Sequence, residues 1–208
     1  THTQNKLKLI LPLVLIILST FFTFNSTGIG KQQKMLDGIE ISLPNKSHPY
    51  DRNSYSYGID HDQNGFDTRA EILINSSQTP VQFDDKNKTR VKSGKWFDLY
   101  TGVTFYDAKD IDIDHLVPLY EVHISGGYAW NADKKRAYAN DIRNKGPLRI
   151  THRWTNRVPK RADDPSEYSP SYVPGRCQYL RDWVSIKRDW GLTMDPNEAL
   201  AIKQQMAA

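Results

Sequence analysis

Cysteine is almost absent from this sequence, which has one thiol, Cys177, among its 208 residues. A single cysteine excludes an intrachain disulfide, so we expect Cys177 to be a small, buried apolar side chain. Proteins without disulfides are common in the cytosol, where thiols stay reduced. The chain does not need a disulfide for stability, because it is long enough to fold as one domain around a hydrophobic core of ordinary size.

A large excess of charge of one sign is also missing, and we find no internal repeat and no low-complexity tract. A net charge of +4 permits a nucleic-acid partner but does not require one. The charges are unevenly placed, because residues 97–121 carry six acids and one base, whereas residues 133–190 carry fourteen bases and seven acids. Two solvated faces would give this pattern, and so would a metal site beside a phosphate-binding surface.

One long apolar run is present, at residues 9–24, and two lysines precede it. A basic flank followed by a short apolar core is typical of a secretory signal peptide, so we expect export despite the missing disulfides. No clear small-x-small cleavage site follows, which leaves an uncleaved membrane anchor as the alternative. The protein is therefore predicted to be secreted, periplasmic or membrane-anchored, with residues 1–25 as signal peptide or anchor, 26–54 as a linker and 55–208 as one domain.

The residue pattern predicts a single α+β domain with a β-rich first half and a helical C-terminal part. Branched and aromatic residues between turn signals predict extended segments at residues 39–43, 91–105, 111–123 and 148–151. Apolar stripes and capping residues predict helices or helical turns at residues 68–74, 131–141, 154–161, 177–190 and 196–206. Asn131 and Asp195 are the expected N-caps of two of these helices.

The run DIDHLVPL, residues 112–119, places an acid beside a histidine at Asp114 and His115. Hydrolysis of a phosphodiester needs a base that deprotonates water and a cation that neutralises the charge developing on the phosphate. Histidine titrates near neutral pH, and aspartate is a hard oxygen ligand for a magnesium-class ion. Neighbouring residues on a strand point to opposite sides, so Asp114 and His115 can serve one site only if the strand ends or bends there.

A second segment, residues 144–164, carries residues that would complete such a site. It predicts a turn, a short strand and a helix that bears Asn156, Arg157, Lys160 and Arg161. A strand with Asp-His, a second strand and a helix with Asn and basic residues make up a ββα-metal site. This arrangement resembles the HNH endonucleases, and it is most similar to a branch of small exported bacterial proteins related to the C-terminal domain of the GmrSD restriction enzymes.

The resemblance covers residues 50–206, and several further motifs of the family occur in order. They are DTRAEIL, SGKWFDLYTG, SGGYAW, YAND and CQYLRDWVSIK. The family implies His115 as the general base, and it implies Asp114 and Asn156 as ligands of one Mg²⁺ or another divalent ion such as Mn²⁺. It also implies that Lys160 and Arg157 face the phosphate, and that no small-molecule cofactor takes part.

The sequence departs from the family pattern at two places. The asparagine that usually precedes the second strand is replaced by Pro147, so Asn144 or Asn140 orients the base, or no residue does. The spacing from Asn156 to Lys160 is one residue longer than the family pattern. Which of these residues reach the site depends on the tertiary structure.

A separate acidic motif lies upstream, at Asp60, Asp62, Asn64 and Glu71. With Gly65 it matches the calcium-loop pattern D-x-D-x-N-G-x5-E, in which oxygen ligands hold Ca²⁺ and the glycine permits a sharp turn. No helix is predicted before the loop, and an acidic turn supported by Asn-Gly would give the same residues. The motif therefore predicts either a structural Ca²⁺ site or an acidic turn without an ion.

The residues therefore predict an exported, metal-dependent endonuclease that cleaves DNA, or RNA as well, with little sequence preference, because its contacts would go mostly to phosphates. Two other classes stay open. One is a nucleic-acid-binding module with a degenerate nuclease site, which would bind but never cleave. The other is a calcium-stabilised extracellular interaction domain built around residues 60–71, whose melting temperature would depend on Ca²⁺.

Overall fold

A computed structural model of the chain describes residues 34–60, 62–84 and 86–207. The apolar segment predicted as a signal peptide or membrane anchor lies outside these residues. Among the described helices, none is long and apolar enough to cross a membrane. The described part forms one α+β domain, which confirms the fold class predicted from the sequence.

Five strands and six α-helices occur within the described residues. The strands are β1 (Gln82–Phe83), β2 (Val91–Asp98), β3 (Val103–Asp107), β4 (Ile111–His115) and β5 (Leu148–His152). The helices are α1 (Thr68–Ser76), α2 (Leu119–Ile124), α3 (Ala132–Ala139), α4 (Arg153–Thr155), α5 (Val173–Asp189) and α6 (Pro196–Ala207). A π-helical turn, Asn156–Lys160, follows α4 directly.

The strands form two antiparallel sheets. The first has the order β1-β2-β3, and the second contains β4 and β5 only. In the second sheet Asp114 lies opposite Arg149, and His115 lies opposite Leu148. Since α4 and the π-helical turn follow β5, the chain has the strand-strand-helix order that the sequence predicts for the candidate site.

The helical half packs around α5, and the stripe predicted for this helix is buried. Its buried apolar residues, which are 0–3% exposed, are Tyr179, Leu180, Trp183, Val184 and Ile186. A smaller cluster around Trp96 packs against the three-stranded sheet and includes Ile111 at the start of β4. Each large apolar side chain that leaves water in this way stabilises the fold by about 1.5–3 kcal/mol. Both cores therefore hold the elements that carry the candidate site.

Two helices begin at the predicted capping residues. The Asn131 side chain accepts a hydrogen bond from the Lys134 backbone N–H at 2.8 Å, before the first turn of α3 is complete. The Asp195 carboxylate accepts from the Glu198 backbone N–H at 3.0 Å at the start of α6. Each cap satisfies an N–H group that lacks a partner inside the helix, which stabilises the helix by about 1 kcal/mol.

The prediction of one extended segment at residues 111–123 is wrong in its second half. The strand ends at His115, and the helix α2 begins at Leu119. Pro118 precedes this helix with φ −59°, a value that suits the first turn of a helix. A short apolar run is compatible with a buried strand and with a buried helix, so periodicity alone does not separate the two.

Residues 34–54 pack on the domain, which differs from the linker predicted for residues 26–54. Leu36 is buried in the main core, and Met35, Ile39 and Tyr50 pack against it. The strand predicted at residues 39–43 is reduced to one parallel bridge between Ile41 and Met194. A few apolar side chains in an otherwise polar stretch are enough to attach it to the core.

The single thiol lies on α5. Cys177 is exposed, so the prediction that it is buried is wrong. It falls outside the stripe that begins at Tyr179, and its helical position therefore faces away from the core.

Candidate active site

The sheet β4-β5 and the π-helical turn bring four of the predicted site residues to one cleft. Asp114 and His115 come from the end of β4, and Asn156 and Arg157 come from the π-helical turn. The cleft has a volume of about 360 Å³. Residues from two separate segments of the sequence thus share one concave surface, as the motif spacing predicts.

The end of β4 explains how adjacent residues reach the same cleft. His115 is the last strand residue, and the Leu116 N–H donates to the Pro147 carbonyl at 2.8 Å as the chain leaves the strand. Both Asp114 and His115 line the cleft. The condition set by the sequence, that the strand ends or bends at this pair, is met.

His115 is buried and held by a backbone carbonyl. Its Nε2 atom lies 3.0 Å from the Ala139 oxygen, which assigns the proton to Nε2, because a carbonyl can only accept. No other described residue bonds to the imidazole, so Nδ1 is left as the acceptor nitrogen. Burial lowers the pKa of His115 to about 4, and the charges of Arg52 and Lys160 act in the same direction. The ring is therefore neutral at pH 7.

The Asp114 carboxylate is fixed from two sides. The Tyr100 hydroxyl donates to Oδ2 at 2.9 Å, and Lys160 Nζ lies 3.1 Å from both oxygens. Burial raises the pKa of Asp114, although the ammonium of Lys160 and the Tyr100 hydroxyl both oppose that rise. Two long side chains thus hold one carboxylate at the cleft wall.

Lys160 does not face the phosphate position that the family resemblance implies. Its side chain is 0% exposed, and Nζ also donates to the His115 carbonyl oxygen at 3.3 Å. A fully buried ammonium that is bonded to Asp114 cannot contact a substrate in solution. The expectation for Lys160 is corrected accordingly: it positions Asp114 and the end of β4.

The π-helical turn explains how Lys160 reaches Asp114 despite the longer spacing. The Arg161 N–H donates to the Asn156 carbonyl at 2.9 Å, which spans five residues instead of the four of an α-helix. A π turn accommodates one extra residue within a helical path. The turn therefore keeps Asn156 in the cleft while it returns the Lys160 side chain to the protein interior.

Asp112 organises the helical side of the cleft, and the sequence did not single it out for this task. Its carboxylate accepts two hydrogen bonds from Arg157, from Nε at 2.7 Å and from a terminal nitrogen at 2.9 Å. It also accepts from Asn156 Nδ2 at 3.3 Å, and Arg153 Nε lies 3.7 Å away. Asn156 thus uses its amide nitrogen toward Asp112, and among the described residues no hydrogen bond to its amide oxygen is observed.

Asn140 is the better placed of the two candidate orienting residues. It follows Ala139, whose carbonyl holds His115. The Asn140 side-chain oxygen accepts from the Gly58 N–H at 2.9 Å and from the Thr68 hydroxyl at 2.7 Å. These bonds are made 72 and 82 residues away along the chain, so Asn140 fixes the backbone that orients the imidazole.

Asn144 does not line the cleft. It lies between α3 and β5 at a larger cavity of about 710 Å³, together with Arg149 and Tyr179. Tyr100 lines this larger cavity as well, while its hydroxyl bonds to Asp114. The structure thus separates Asn144 from His115, which leaves two of the alternatives, Asn140 or no orienting asparagine.

The rim of the cleft contains cationic and aromatic residues that the sequence patterns did not identify. Arg52, Tyr50 and Tyr120 line the cleft beside Arg161. The rings of Tyr50 and Tyr120 meet edge to face, with centroids 5.4 Å apart. Arg52 lies in the segment predicted as a linker, and no local signal in the sequence connects it to Asp114.

The two predicted metal ligands suit a hard divalent ion. The Asp114 carboxylate and the Asn156 amide oxygen both belong to cleft residues. Within the described residues, no three His, Cys, Asp or Glu side chains are grouped so as to hold a metal ion. An ion at this cleft would take two protein ligands and complete its shell with phosphate oxygens and water, as magnesium commonly does.

The residues of the predicted calcium loop lie close together but are bonded to one another. The Asn64 amide nitrogen donates to Asp62 and to Glu71, each at 3.0 Å. Asp60 accepts from the backbone N–H of Asn64 at 3.1 Å and of Gly65 at 3.0 Å, and Gly65 has φ +91°. These contacts are those of a tight acidic turn, and the Ca²⁺ site stays a prediction.

Comparison with known proteins yields a fungal relative. The chain is 28% identical over 182 residues to an uncharacterized secreted protein of Arthroderma benhamiae, a match that covers 88% of this chain and 86% of that protein. No protein-family model matches the chain, and no solved structure does. The resemblance to the HNH endonucleases therefore stays a prediction that depends on the motifs and the cleft.

Proposed function

We propose that this protein is an exported, metal-dependent endonuclease that hydrolyses phosphodiester bonds of DNA, or of RNA as well, with little sequence preference. The observation that supports the proposal is that Asp114, His115 and Asn156 line one cleft, which would bring a base and two oxygen ligands to the same site. Arginines surround this group at the rim, and a polyanionic substrate is the partner that such a rim attracts.

His115 is the proposed general base. Its Nε2–H is occupied by the Ala139 carbonyl, so Nδ1 is the atom that accepts a proton from water. The lowered pKa keeps the ring unprotonated before substrate binds. A phosphate that enters the cleft favours the imidazolium form, because an anion near a titrating base raises its pKa.

Three arginines are the proposed phosphate contacts. Arg52, Arg157 and Arg161 line the cleft, and the Arg157 side chain is 61% exposed although it bonds to Asp112. A guanidinium has five N–H donors, so one that gives two to a carboxylate retains others for a phosphate. Because these contacts would be made to the backbone of the nucleic acid, they carry no sequence information.

Asp114 and Asn156 would hold the divalent ion, which supplies positive charge at the phosphate and at the leaving oxygen. Tyr100 and Lys160 keep the Asp114 carboxylate in place. Water transfers a proton to His115 and its oxygen attacks phosphorus, while the bond from phosphorus to the 3′ oxygen breaks. The 3′ oxygen takes a proton from solvent, so the expected ends are a 5′-phosphate and a 3′-hydroxyl.

Export is the part of the proposal that concerns location. A basic flank and an apolar core at residues 9–24 support it, and so does the name of the fungal relative, a secreted protein. The mass of the mature protein, measured in the culture medium and in the membrane fraction, shows whether residues 1–25 are removed or stay as an anchor.

Plasmid cleavage by the purified protein tests the proposal. We expect nicking with Mg²⁺, none with a chelator, and a loss of at least about a hundredfold in His115→Ala, since removing a general base commonly lowers rates by 10²–10⁴. His152→Ala is the matched control, because His152 stacks on Phe105 at 4.8 Å and does not line the cleft. Circular dichroism establishes that each variant is folded.

The possible outcomes separate the candidate functions. If the wild type never cleaves under several divalent ions but binds plasmid in chelator, the degenerate binding module replaces the nuclease. If it neither cleaves nor binds, the nucleic-acid assignment is lost altogether. If His115→Ala cleaves as well as His152→Ala, the activity stands but its base lies elsewhere.

A further inference from the structure

Trp154 is the exposed member of five tryptophans. Its side chain is 59% exposed, whereas Trp96 and Trp183 are fully buried and Trp130 and Trp190 pack against the core. An indole in water leaves a large apolar surface unburied, which the hydrophobic effect disfavours. An exposed tryptophan close to the candidate active site is therefore a candidate contact for a ligand.

Trp154 lies on the short helix that leads from β5 to the cleft residues. Asn156 and Arg157 of the π-helical turn line the cleft, and Trp154 stands in the turn immediately before them. Arg153 and Arg157 lie on one side of this segment, because both approach the Asp112 carboxylate. Val158 is 50% exposed, so the segment also carries an exposed apolar strip, made of Trp154 and Val158, close in sequence to these two arginines.

The charges around this strip indicate a polyanion as its occupant. Arg153 is 44% exposed and Arg157 is 61% exposed, although both are directed toward Asp112. Arg161, which is 67% exposed, continues the cationic side toward the cleft. A flat aromatic face beside a row of guanidinium groups matches a chain of phosphates with accessible bases.

We infer that Trp154 is a stacking platform for an unpaired base of the nucleic acid, next to the scissile phosphate, and that the protein consequently prefers single-stranded over duplex substrate. The inference rests on the proposed function and specifies its substrate class. Base stacking on an aromatic side chain requires a free base face, which a duplex offers only at ends and breaks. Duplex contacts would rely on the arginine row alone.

Fluorescence anisotropy with the full-length protein tests this inference. The probes are a fluorescein-labelled 20-nucleotide oligothymidylate and a 20-base-pair duplex, and His115→Ala serves as the background so that neither probe is cut. Trp154→Ala should weaken binding of the single strand by about tenfold and change duplex binding less than about twofold. Trp154→Phe should restore most of the single-strand affinity, because a phenyl ring still stacks.

Tyr106→Ala is the matched control, since Tyr106 is an aromatic residue of similar exposure, 60%, on the edge strand β3. Equal losses for Trp154→Ala and Tyr106→Ala would contradict a specific platform at Trp154. An unchanged single-strand affinity in Trp154→Ala overturns the inference, and so does the absence of any single-strand binding before that substitution. Binding to vesicles of anionic phospholipid that depends on Trp154, without an effect on the oligonucleotide, would identify a membrane-facing residue instead.

The inference and the proposed function fail in different ways. If the wild type cleaves plasmid but Trp154→Ala binds both probes normally, the nuclease stands and the platform does not. If the wild type shows no cleavage, and its binding of the single strand still depends on Trp154, then Trp154 is a stacking platform in a protein that binds nucleic acid without cleaving it.

Discussion

Two lysines, Lys160 and Lys187, are completely buried in this protein, one beside the cleft and one in the helical core. Lys187 lies 2.6 Å from Glu121 and 2.7 Å from Glu198, and it donates to the Ser125 hydroxyl at 3.1 Å. Its ammonium is therefore surrounded by partners that all belong to the protein interior. Lys160 has one carboxylate partner, Asp114, and that carboxylate also lines the cleft.

The difference shows what separates a structural ion pair from a group that serves a site. Both arrangements neutralise a charge that burial would otherwise make costly. The Lys187 ammonium makes its hydrogen bonds to groups inside the core. One of these groups, the Glu198 carboxylate, also accepts from the Trp183 indole N–H. Around Lys160 the neutralised carboxylate is buried as well, but it belongs to a residue that lines the cleft. Burial of a charge alone does not identify a functional residue.

Removal of each lysine is the strongest test of this comparison. Lys160→Met and Lys187→Met should each lower the free energy of unfolding by about 3–5 kcal/mol, because each leaves buried carboxylates without their counter-charge. Denaturant titration of the two variants measures this loss. Under conditions where both remain folded, only Lys160→Met should also lower kcat/KM for plasmid cleavage, by about 10- to 100-fold, since it releases a proposed metal ligand. Equal kcat/KM losses in the two variants would remove the distinction drawn between the lysines.

The pH dependence of stability sharpens the description of the core cluster. Burial raises the pKa of Glu198 to about 7, and the neighbouring Glu121 adds to the rise against the opposing charge of Lys187. The folded pKa is above the unfolded one, so this stabilisation is complete below the usual value of 4.5 and is lost as pH rises through about 7.

Glu198→Gln removes the titrating group while it keeps the shape of the side chain. Between pH 4.5 and pH 8 the wild type should lose roughly 2–3 kcal/mol more of its unfolding free energy than Glu198→Gln does. Denaturant titration at several pH values measures the two profiles. Parallel profiles would mean that Glu198 has the same pKa in the folded and unfolded states.

The acidic turn at residues 60–71 is a third group of carboxylates, and it offers the smallest expected effect. If it binds Ca²⁺ as the sequence motif predicts, Ca²⁺ at ten times its Kd stabilises the fold by about 1.4 kcal/mol. Thermal melting with and without Ca²⁺ measures this stabilisation. In Glu71→Gln the melting temperature should be the same with and without Ca²⁺. Mg²⁺ at the same concentration is the control for general screening, and a melting temperature that ignores Ca²⁺ leaves the turn as an ion-free one.

Local sequence patterns predicted the secondary structure around the site well. The N-caps Asn131 and Asp195, the buried stripe of α5, and the order of β4, β5 and the following helix were all predictable. Each depends on residues within a few positions of one another, and such short-range preferences operate before any distant contact forms. The prediction for residues 111–123 is right in its first half and wrong in its second half. An apolar run of that length has no period that separates a strand from a helix.

Long-range contacts decided the rest. Arg52 joins the rim from a segment that the sequence predicts as a linker, and Asn140 holds the site through partners in residues 56–68. Lys160, predicted to face a phosphate, is turned inward by a π-helical turn, and the longer spacing from Asn156 indicated a departure there but not its direction. These outcomes depend on which distant surfaces meet when the chain closes.

The sequence by itself determined the element types, the pairing of an Asp-His strand with an Asn-bearing helix, and the chemical groups available for a site. Only the tertiary structure decided which charges are buried, which of the two candidate asparagines follows the carbonyl that holds His115, and which tryptophan is left in water. The physical reason is one of range. Backbone preferences and caps are set by neighbours along the chain, whereas desolvation is set by every atom that comes to surround a side chain.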